Sequence, residues 1–446
     1  MPLISPFAGL RPAPGRAADV LAPPYDVLNT EEARARAAGR PWSFLHISKP
    51  EIDLPPKTDP YSPAVYAKGK ENFERMQSEG VLVRDPQPCY YLYRLVMGAH
   101  TQTGIVAVAS VPDYDSNRIR KHEFTRPDKE DDRVRQIDAL NAQTGPVFLT
   151  YKHHPVIDEL VVRFTAQAPE VDVTADDGVR HTLWVLREPT AIETITSTFD
   201  GMKNLYIADG HHRSAAASRV AAARAAHDSR DGGGRAASGT AAEGRASVAG
   251  GRTPEATKSA NPAHTGEEPY NYFLSVIFPD NQMQILDYNR IVKDLYGHSV
   301  EEFVAEIAEA FSVEVELAAV KPGRAREFGM YLDGHWYRLH IDPEFIPDDD
   351  PVRRLDVSLL QDNLLGPILG IEDPRRDKRI DFVGGIRGLR ELERRVDSGE
   401  MACAFALFPT SMADLMSVAD AGEVMPPKST WFEPKLADGL VSHLLD

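Results

Sequence analysis

Cysteine is nearly absent from this chain of 446 residues, which contains only Cys89 and Cys403. The two lie far apart in the sequence, and neither belongs to a CxxC pair. A disulfide framework and a cysteine-based zinc ribbon are therefore excluded. Because so few thiols are typical of a protein from a reducing compartment, we expect a cytoplasmic location.

Long apolar runs are lacking as well. No stretch approaches the ~20 consecutive apolar residues that a membrane-spanning helix needs. The opening residues, MPLISPFAGLRPAPG, do not show a basic segment followed by an apolar one. We therefore expect neither a membrane partner nor a secretory signal.

The chain also has no excess of positive charge. It carries 50 Lys and Arg residues against 67 Asp and Glu residues, which gives a formal net charge of −17. A protein that holds nucleic acid by its phosphates normally presents a basic face. This charge balance disfavours a nucleic-acid partner.

Large apolar residues almost disappear between Asp228 and Glu268, where Gly, Ala and Ser dominate. Such a segment cannot bury enough surface to offset the entropy cost of ordering it, so we predict a disordered spacer over residues 228–268. The spacer divides the chain into an N-terminal α/β part, residues 1–227, and a C-terminal α+β part, residues 269–446.

The other segments mix strand and helix patterns without a regular βαβ rhythm. EFGMYLDGHWYRLHI reads as a hairpin around Asp333-Gly334, and SVEEFVAEIAEAF reads as a helix. YNYFLSVIFPD and MQILDYNRIV read as a strand, a turn and a second strand. The mixture predicts an α+β fold class, with mixed sheets and flanking helices.

The first polar cluster lies in NLYIADGHHRSAAAS, where a strand pattern ends at Asp209 and a helix pattern follows. A turn of this kind leaves backbone N–H groups free at the positive end of a helix, which suits a phosphate. Gly210 permits a close approach of the backbone, and His211, His212 and Arg213 add donors. Asp209 could hold a metal or accept a hydroxyl proton. An ordinary Asp-Gly turn with exposed polar residues remains open as the alternative.

The second cluster is KHEFTRPDKEDDR, in which Pro127 suits the first turn of a helix. The acids after Pro127 are explained by the helix dipole, whereas Glu123 is not, and it could act as a general base or a magnesium ligand. Arg126 and Arg133 could hold phosphate oxygens. A solvated charged face is the alternative interpretation. A zincin-type site is excluded because HEFTR lacks the second His of HExxH.

The third cluster, GEVMPPKSTWFEPKLADGL, imitates the spacing of a phosphate-binding Walker A loop. Pro427 stands where that loop needs a glycine, and proline has no N–H to offer a phosphate, so a P-loop is excluded. What remains is a rigid segment that presents Lys428 and Ser429 at a defined place. A loop packed by Trp431 and Phe432 is the alternative.

Taken together, the motifs FAGLRP, APPYDV, KHEFTRPDKEDDR, IADGHHR, YNRIV and MPPKSTWFEPKLADGL resemble the ordered motifs of the family with domain of unknown function 1015 (DUF1015). The turn DGHHR is similar to the phosphoryl-transfer turn of free serine kinases with the ParB/sulfiredoxin-like fold. The resemblance implies such a catalytic core, elaborated by N- and C-terminal segments. It also implies a free L-serine kinase that uses pyrophosphate, ATP or ADP with Mg²⁺.

The resemblance assigns roles to residues of all three clusters. It implies that Glu123, Asp209 and His212 are catalytic and that Asp209 and Glu123 hold Mg²⁺. The predicted phosphate-donor site comprises His122, Arg126, Arg133, Gly210, His211, Arg213, Lys428 and Ser429.

Two other functions remain open. A ParB-like nucleotide-dependent DNA-binding protein would need a basic surface, and a phosphate-ester binding or hydrolysing protein would need no acceptor. A sulfiredoxin-type reductase is excluded because the turn contains no cysteine.

Overall fold

The computed structural model of the protein describes residues 1–231 and 266–446. Most of the predicted spacer, residues 232–265, lies outside the described part, so its disorder remains a prediction. Within the described residues, no helix is both long enough and apolar enough to cross a membrane.

Among the described residues, the larger sheet has nine strands and is mixed, since two of its strand pairs are parallel and the others antiparallel. Its eight-strand path runs, in spatial order, through Ile119–Arg120, Leu205–Asp209, Val147–Tyr151, Tyr272–Pro279, His100–Ser110, Tyr90–Met97, Arg180–Leu186 and Val171–Thr174, and Ile4–Ser5 pairs with His100–Ser110.

The smaller sheet, as far as the structure describes the chain, has six strands that are antiparallel throughout. In spatial order they are Phe311–Glu316, His335–Ile341, Glu327–Leu332, Cys403–Leu407, Tyr288–Val292 and Ile380–Gly384. Three two-stranded pairs join Leu10–Pro12 to Leu82–Arg84, Ile285–Leu286 to Trp431–Phe432, and Ala142–Gln143 to His443–Leu444.

Helices flank both sheets. The α-helices of the described residues are Ala17–Val20, Thr30–Ala37, Leu45–Ser48, Pro63–Ser78, Val111–Asp115, Pro127–Leu140, Pro155–Thr165, Pro189–Asp200, His211–Asp231, Val300–Ile307, Asp356–Leu360, Leu389–Asp397 and Met412–Asp420. This combination of mixed sheets and flanking helices confirms the predicted α+β class. Pro127 is the first residue of its helix, as predicted.

Alternate side chains along the strands of the large sheet pack into two different hydrophobic cores, one on each face of the sheet. Tyr90 and Leu92 pack with the helices on one face, whereas Tyr91 and Tyr93 point to the other. On that second face, one continuous apolar cluster joins the large sheet to side chains of the small sheet such as Phe328. The two sheets therefore share a core, which is the arrangement that buries both apolar faces.

The strand, the turn and the second strand that were predicted after the spacer are all present. Both strands exist, but Tyr272–Pro279 lies in the large sheet and Tyr288–Val292 in the small one. The first of them is buried along its whole length and pairs with a neighbouring strand on each side. Those neighbours, Val147–Tyr151 and His100–Ser110, precede the spacer in sequence. The large sheet thus contains strands that precede residues 228–268 in the sequence and a strand that follows them, and the division into two parts there stays a prediction.

Candidate active site

The predicted turn between strand and helix is present at the end of Leu205–Asp209, next to the edge of the large sheet. Gly210 has φ +99°, in the left-handed region that favours glycine, and the helix begins at His211. A Cβ atom at Gly210 would lie 3.1 Å from Nε of Arg213. Glycine therefore lets the Arg213 side chain fold back over the turn toward the carboxylate of Asp209.

Asp209 lies between two cations. Its Oδ2 accepts a hydrogen bond from Nζ of Lys435 at 3.2 Å, and its Oδ1 lies 3.8 Å from Nη2 of Arg213. Burial acts to raise the pKa of Asp209, but the charges of Lys435 and Arg213 outweigh it and hold that pKa well below its usual range. Asp209 is therefore a permanent anion near neutral pH.

The three histidines of the prediction occupy different environments. His122 and His211 are 2% and 4% exposed, and their rings stand perpendicular with centroids 4.6 Å apart. Burial lowers the pKa of His122 to about 4 and that of His211 well below its usual range, so both rings are neutral. His212 is half-buried, and its Nε2 accepts a hydrogen bond of 3.0 Å from the backbone N–H of Arg126.

Glu123 stands opposite this turn. Its side chain is 59% exposed, and its Oε2 lies 3.4 Å from Nδ1 of His211. Partial burial raises the pKa of Glu123, the charge of Asp209 raises it further, and Lys428 opposes both effects. A carboxylate with a raised pKa and an open face is suited to accepting a proton.

Two clefts meet at Glu123. The first, of about 1070 Å³, is lined by seven Asp and Glu residues against five Lys and Arg residues, and we call it the acidic cleft. The second, of about 1130 Å³, is lined by seven Lys and Arg residues against four Asp and Glu residues, and we call it the basic cleft. Asp26, Glu123, Met425 and Lys428 line both clefts.

The clefts bring together most of the predicted site residues. Asp209, His122 and Ser429 line the acidic cleft, and Arg126, Arg133 and His212 line the basic cleft. The Ser429 hydroxyl donates a 2.6 Å hydrogen bond to the carbonyl of Pro426 and so stiffens the turn that presents Lys428.

The predicted cations differ in whether other groups of the protein already bind their charge. Arg133 pairs with Asp132 at 2.6 Å and lies 3.9 Å above the ring of Tyr25. Arg126 pairs with Asp128 at 2.8 Å, on the surface. Arg213 lines neither large cleft but a cavity of about 30 Å³ that it shares with Tyr25, Arg133 and Asp438, where its Nη1 donates to the carbonyl of Pro146. Lys428, an exposed residue, has no carboxylate partner in the described part of the chain.

Sequence reasoning missed three charged residues of the site: Asp26, Lys435 and Asp438. Asp26 lines both clefts, Lys435 pairs with Asp209, and Asp438 lies 3% exposed near Arg213. Burial raises the pKa of Asp438 to about 7, although Arg213 opposes this. The motifs APPYDV and FEPKLADGL contain all three residues. Because neither motif has a recognisable catalytic spacing, the sequence did not single these residues out.

Magnesium was predicted at Asp209 and Glu123. In the described ranges, no three His, Cys, Asp or Glu side chains form a group that could hold a metal ion by themselves. Mg²⁺ prefers one or two carboxylates together with waters and substrate phosphates. Two carboxylates whose charges interact therefore fit a magnesium ion that arrives with a phosphate donor.

Residues 4–358 match the family described as "Protein of unknown function (DUF1015)", whereas no curated protein matches the chain. Similar solved structures include a free serine kinase in complex with AMP, which has 12% identity and a TM-score of 0.32, with 73% of this chain and 86% of that chain covered. A conserved hypothetical protein from Pyrococcus furiosus has 14% identity and a TM-score of 0.32, covering 75% and 94%. SbnI with a C-terminal truncation, from Staphylococcus aureus, has 10% identity and a TM-score of 0.29, covering 74% and 84%. These structural likenesses are distant, but the family match spans most of the chain and contains both KHEFTR and DGHHR, so this protein belongs to the DUF1015 family.

Proposed function

We propose that this protein is a small-molecule phosphotransferase, most concretely a kinase that converts free L-serine to O-phospho-L-serine. The observation that carries the proposal is the position of Glu123 at the junction of two clefts, beside the exposed cation Lys428. Phosphoryl transfer needs little more from a protein than cations, a positioned base and correct alignment of the two substrates. Serine as the acceptor rests on the family resemblance and is the first acceptor to test.

The opposite pKa shifts of Glu123 and Asp209 divide the catalytic work between them. Glu123, with its raised pKa, is the base that accepts the proton of the acceptor hydroxyl. Asp209, with its lowered pKa, is a poor base, and we assign it the role of a fixed anion that orients Lys435. His212, through its hydrogen bond to the backbone of Arg126, positions the loop that carries Glu123.

In the proposed step, the acceptor hydroxyl donates its proton to Glu123 while its oxygen attacks the terminal phosphorus of the donor. The bond from that phosphorus to the bridging oxygen breaks, and the shortened donor leaves with the electron pair. Lys428 and Arg126 would stabilise the charge on the donor oxygens. A magnesium ion that arrives with the donor would be held by Asp209, which leaves Glu123 free to accept the proton, and would neutralise further charge on the donor.

The test is phosphorus NMR of the purified protein with Mg²⁺ and L-serine, with pyrophosphate, ATP or ADP as donor in parallel samples. We expect a new phosphomonoester signal with one donor, and a rate at least ~10²-fold lower in Glu123→Gln and Asp209→Asn, because each removes a reacting or charge-holding group. Asp131→Asn is the matched control, since this acid, whose side chain is 49% exposed, pairs with Arg219 and lines neither cleft.

The same samples separate the other two functions. Free phosphate without a phosphorylated acceptor would indicate a phosphate-ester hydrolase, because an exposed Glu123 can also activate water. A salt-dependent mobility shift of duplex DNA, with no phosphoryl transfer, would favour the ParB-like alternative. Unchanged turnover in Glu123→Gln would contradict the assigned base.

A further inference from the structure

The two clefts that meet at Glu123 differ in the sign of their charge. In the basic cleft the cations outnumber the carboxylates by seven to four, whereas in the acidic cleft the carboxylates outnumber the cations by seven to five. The basic cleft is therefore an exception in a chain whose formal net charge is −17. Such a local excess of positive charge attracts anions from solution to the basic cleft.

Several cations of the basic cleft keep their charge available to a ligand. Arg376 is 88% exposed at its side chain, and its nearest acid, Asp373, is 3.7 Å away. Lys129 donates to the Tyr61 hydroxyl at 2.8 Å, a contact that leaves its charge unneutralised. Lys428 lies at the junction with the acidic cleft. These side chains thus give the cleft that leads to Glu123 a positively charged lining.

The acidic cleft shows a second sign of a ligand besides its carboxylates. His122 lines it and is 2% exposed, yet its Nδ1 has no hydrogen-bond partner in the described part of the chain. A buried polar atom without a partner is costly, and a bound ligand is one way of supplying the partner.

We propose that the two substrates reach Glu123 from opposite sides. The polyphosphate group of the donor lies in the basic cleft, with Arg376 and Lys129 as specificity-determining residues, and an acceptor that carries an ammonium group lies in the acidic cleft. This assignment rests on the proposed phosphotransferase activity and extends it. It also excludes the anionic donor from the acidic cleft, because the carboxylates there repel its phosphate groups.

The test compares Arg376→Glu with Arg353→Glu. Arg353 is a matched control because it is 63% exposed, lies 3.6 Å from Asp362 and lines neither cleft. In Arg376→Glu we expect the KM for the donor to rise about tenfold, with kcat and the KM for L-serine unchanged. Pyrophosphate, ADP and ATP are measured separately, and the rise should follow the shared polyphosphate group. Glycerate, which replaces the ammonium of serine by a hydroxyl, should be a poor acceptor.

Direct binding keeps this assignment separate from the proposed activity. If no donor is turned over, the kinase proposal fails, but a pyrophosphate affinity that falls in Arg376→Glu and not in Arg353→Glu still supports the basic cleft. If turnover is intact and Arg376→Glu changes neither the donor KM nor the pyrophosphate affinity, the assignment of the donor is overturned. Glycerate phosphorylated as well as L-serine would overturn the assignment of the acceptor.

Discussion

At the scale of single residues, the site contains two carboxylates whose environments move their pKa values apart. Asp209 is held ionised by Lys435 and Arg213, and Glu123 is partly desolvated and repelled by Asp209. Such a division is the usual way in which a protein assigns different roles to two groups of the same type. The sequence alone could not show which of the two has the higher pKa, because there both are simply acids beside histidines.

The raised pKa of Glu123 predicts the pH dependence of turnover. A base works only when deprotonated, so kcat/KM should rise with pH through a pKa above 4.5, the ordinary value of a glutamate. The measurement is a pH–rate profile of the wild type, with Lys428→Gln as the comparison. Because Lys428 lowers the pKa of Glu123, its removal should move the acidic limb to higher pH. A limb that stays in place would show that another group titrates.

At the scale of elements, the turn at Gly210 joins strand, helix and site. Its positive φ and the folded-back Arg213 are both consequences of a missing Cβ. Sequence reasoning predicted this turn correctly because an Asp-Gly pair between a strand pattern and an alanine-rich helix is a local signal.

A Cβ atom at Gly210 would both strain the backbone and meet Arg213, so Gly210→Ala should lose turnover as well as stability. We expect a loss of about 1–3 kcal/mol in the free energy of unfolding from the backbone strain, and a further loss of turnover because the new Cβ displaces Arg213. Gly399→Ala is the matched control, since Gly399 has φ +74° and open space around its Cβ position. Urea unfolding and the phosphorus NMR assay measure the two effects. Equal stability losses with full turnover in both variants would show that the contact with Arg213 is unimportant.

At the scale of the whole molecule, the C-terminal segment connects distant parts of the fold. Trp431–Phe432 pairs with Ile285–Leu286, and His443–Leu444 pairs with Ala142–Gln143. Between these pairs the segment delivers Lys435 to Asp209, across 226 positions of sequence. The site therefore depends on the C-terminal segment being docked.

His443 offers a measure of that docking. It is 5% exposed, and burial lowers its pKa to about 4, against an ordinary 6.5. A histidine with a depressed pKa contributes stability that is present above pH 6.5 and lost as the pH falls toward 4. The gap in unfolding free energy between the wild type and His443→Gln should thus narrow by about 2 kcal/mol between pH 7 and pH 5.

Asp356→Asn serves as the counterpart, because burial raises the pKa of Asp356 to about 7. A carboxyl with a raised pKa stabilises the fold more at low pH, so here acidification should favour the wild type over the variant. Urea unfolding at the two pH values measures both trends. A gap for His443→Gln that is independent of pH would mean that His443 is not buried and neutral in the folded protein.

The sequence by itself determined those features that depend on a few neighbouring residues: the turn at Gly210, the helix that begins at Pro127, the hairpin at Asp333-Gly334 and the motifs of the family. Tertiary structure alone decided which strands share a sheet, that Lys435 pairs with Asp209, and that Glu123 lies between two clefts of opposite charge. The physical reason is one of range. Backbone conformation responds to adjacent side chains, whereas desolvation and Coulomb interactions depend on whatever remote residues the fold brings within a few ångströms.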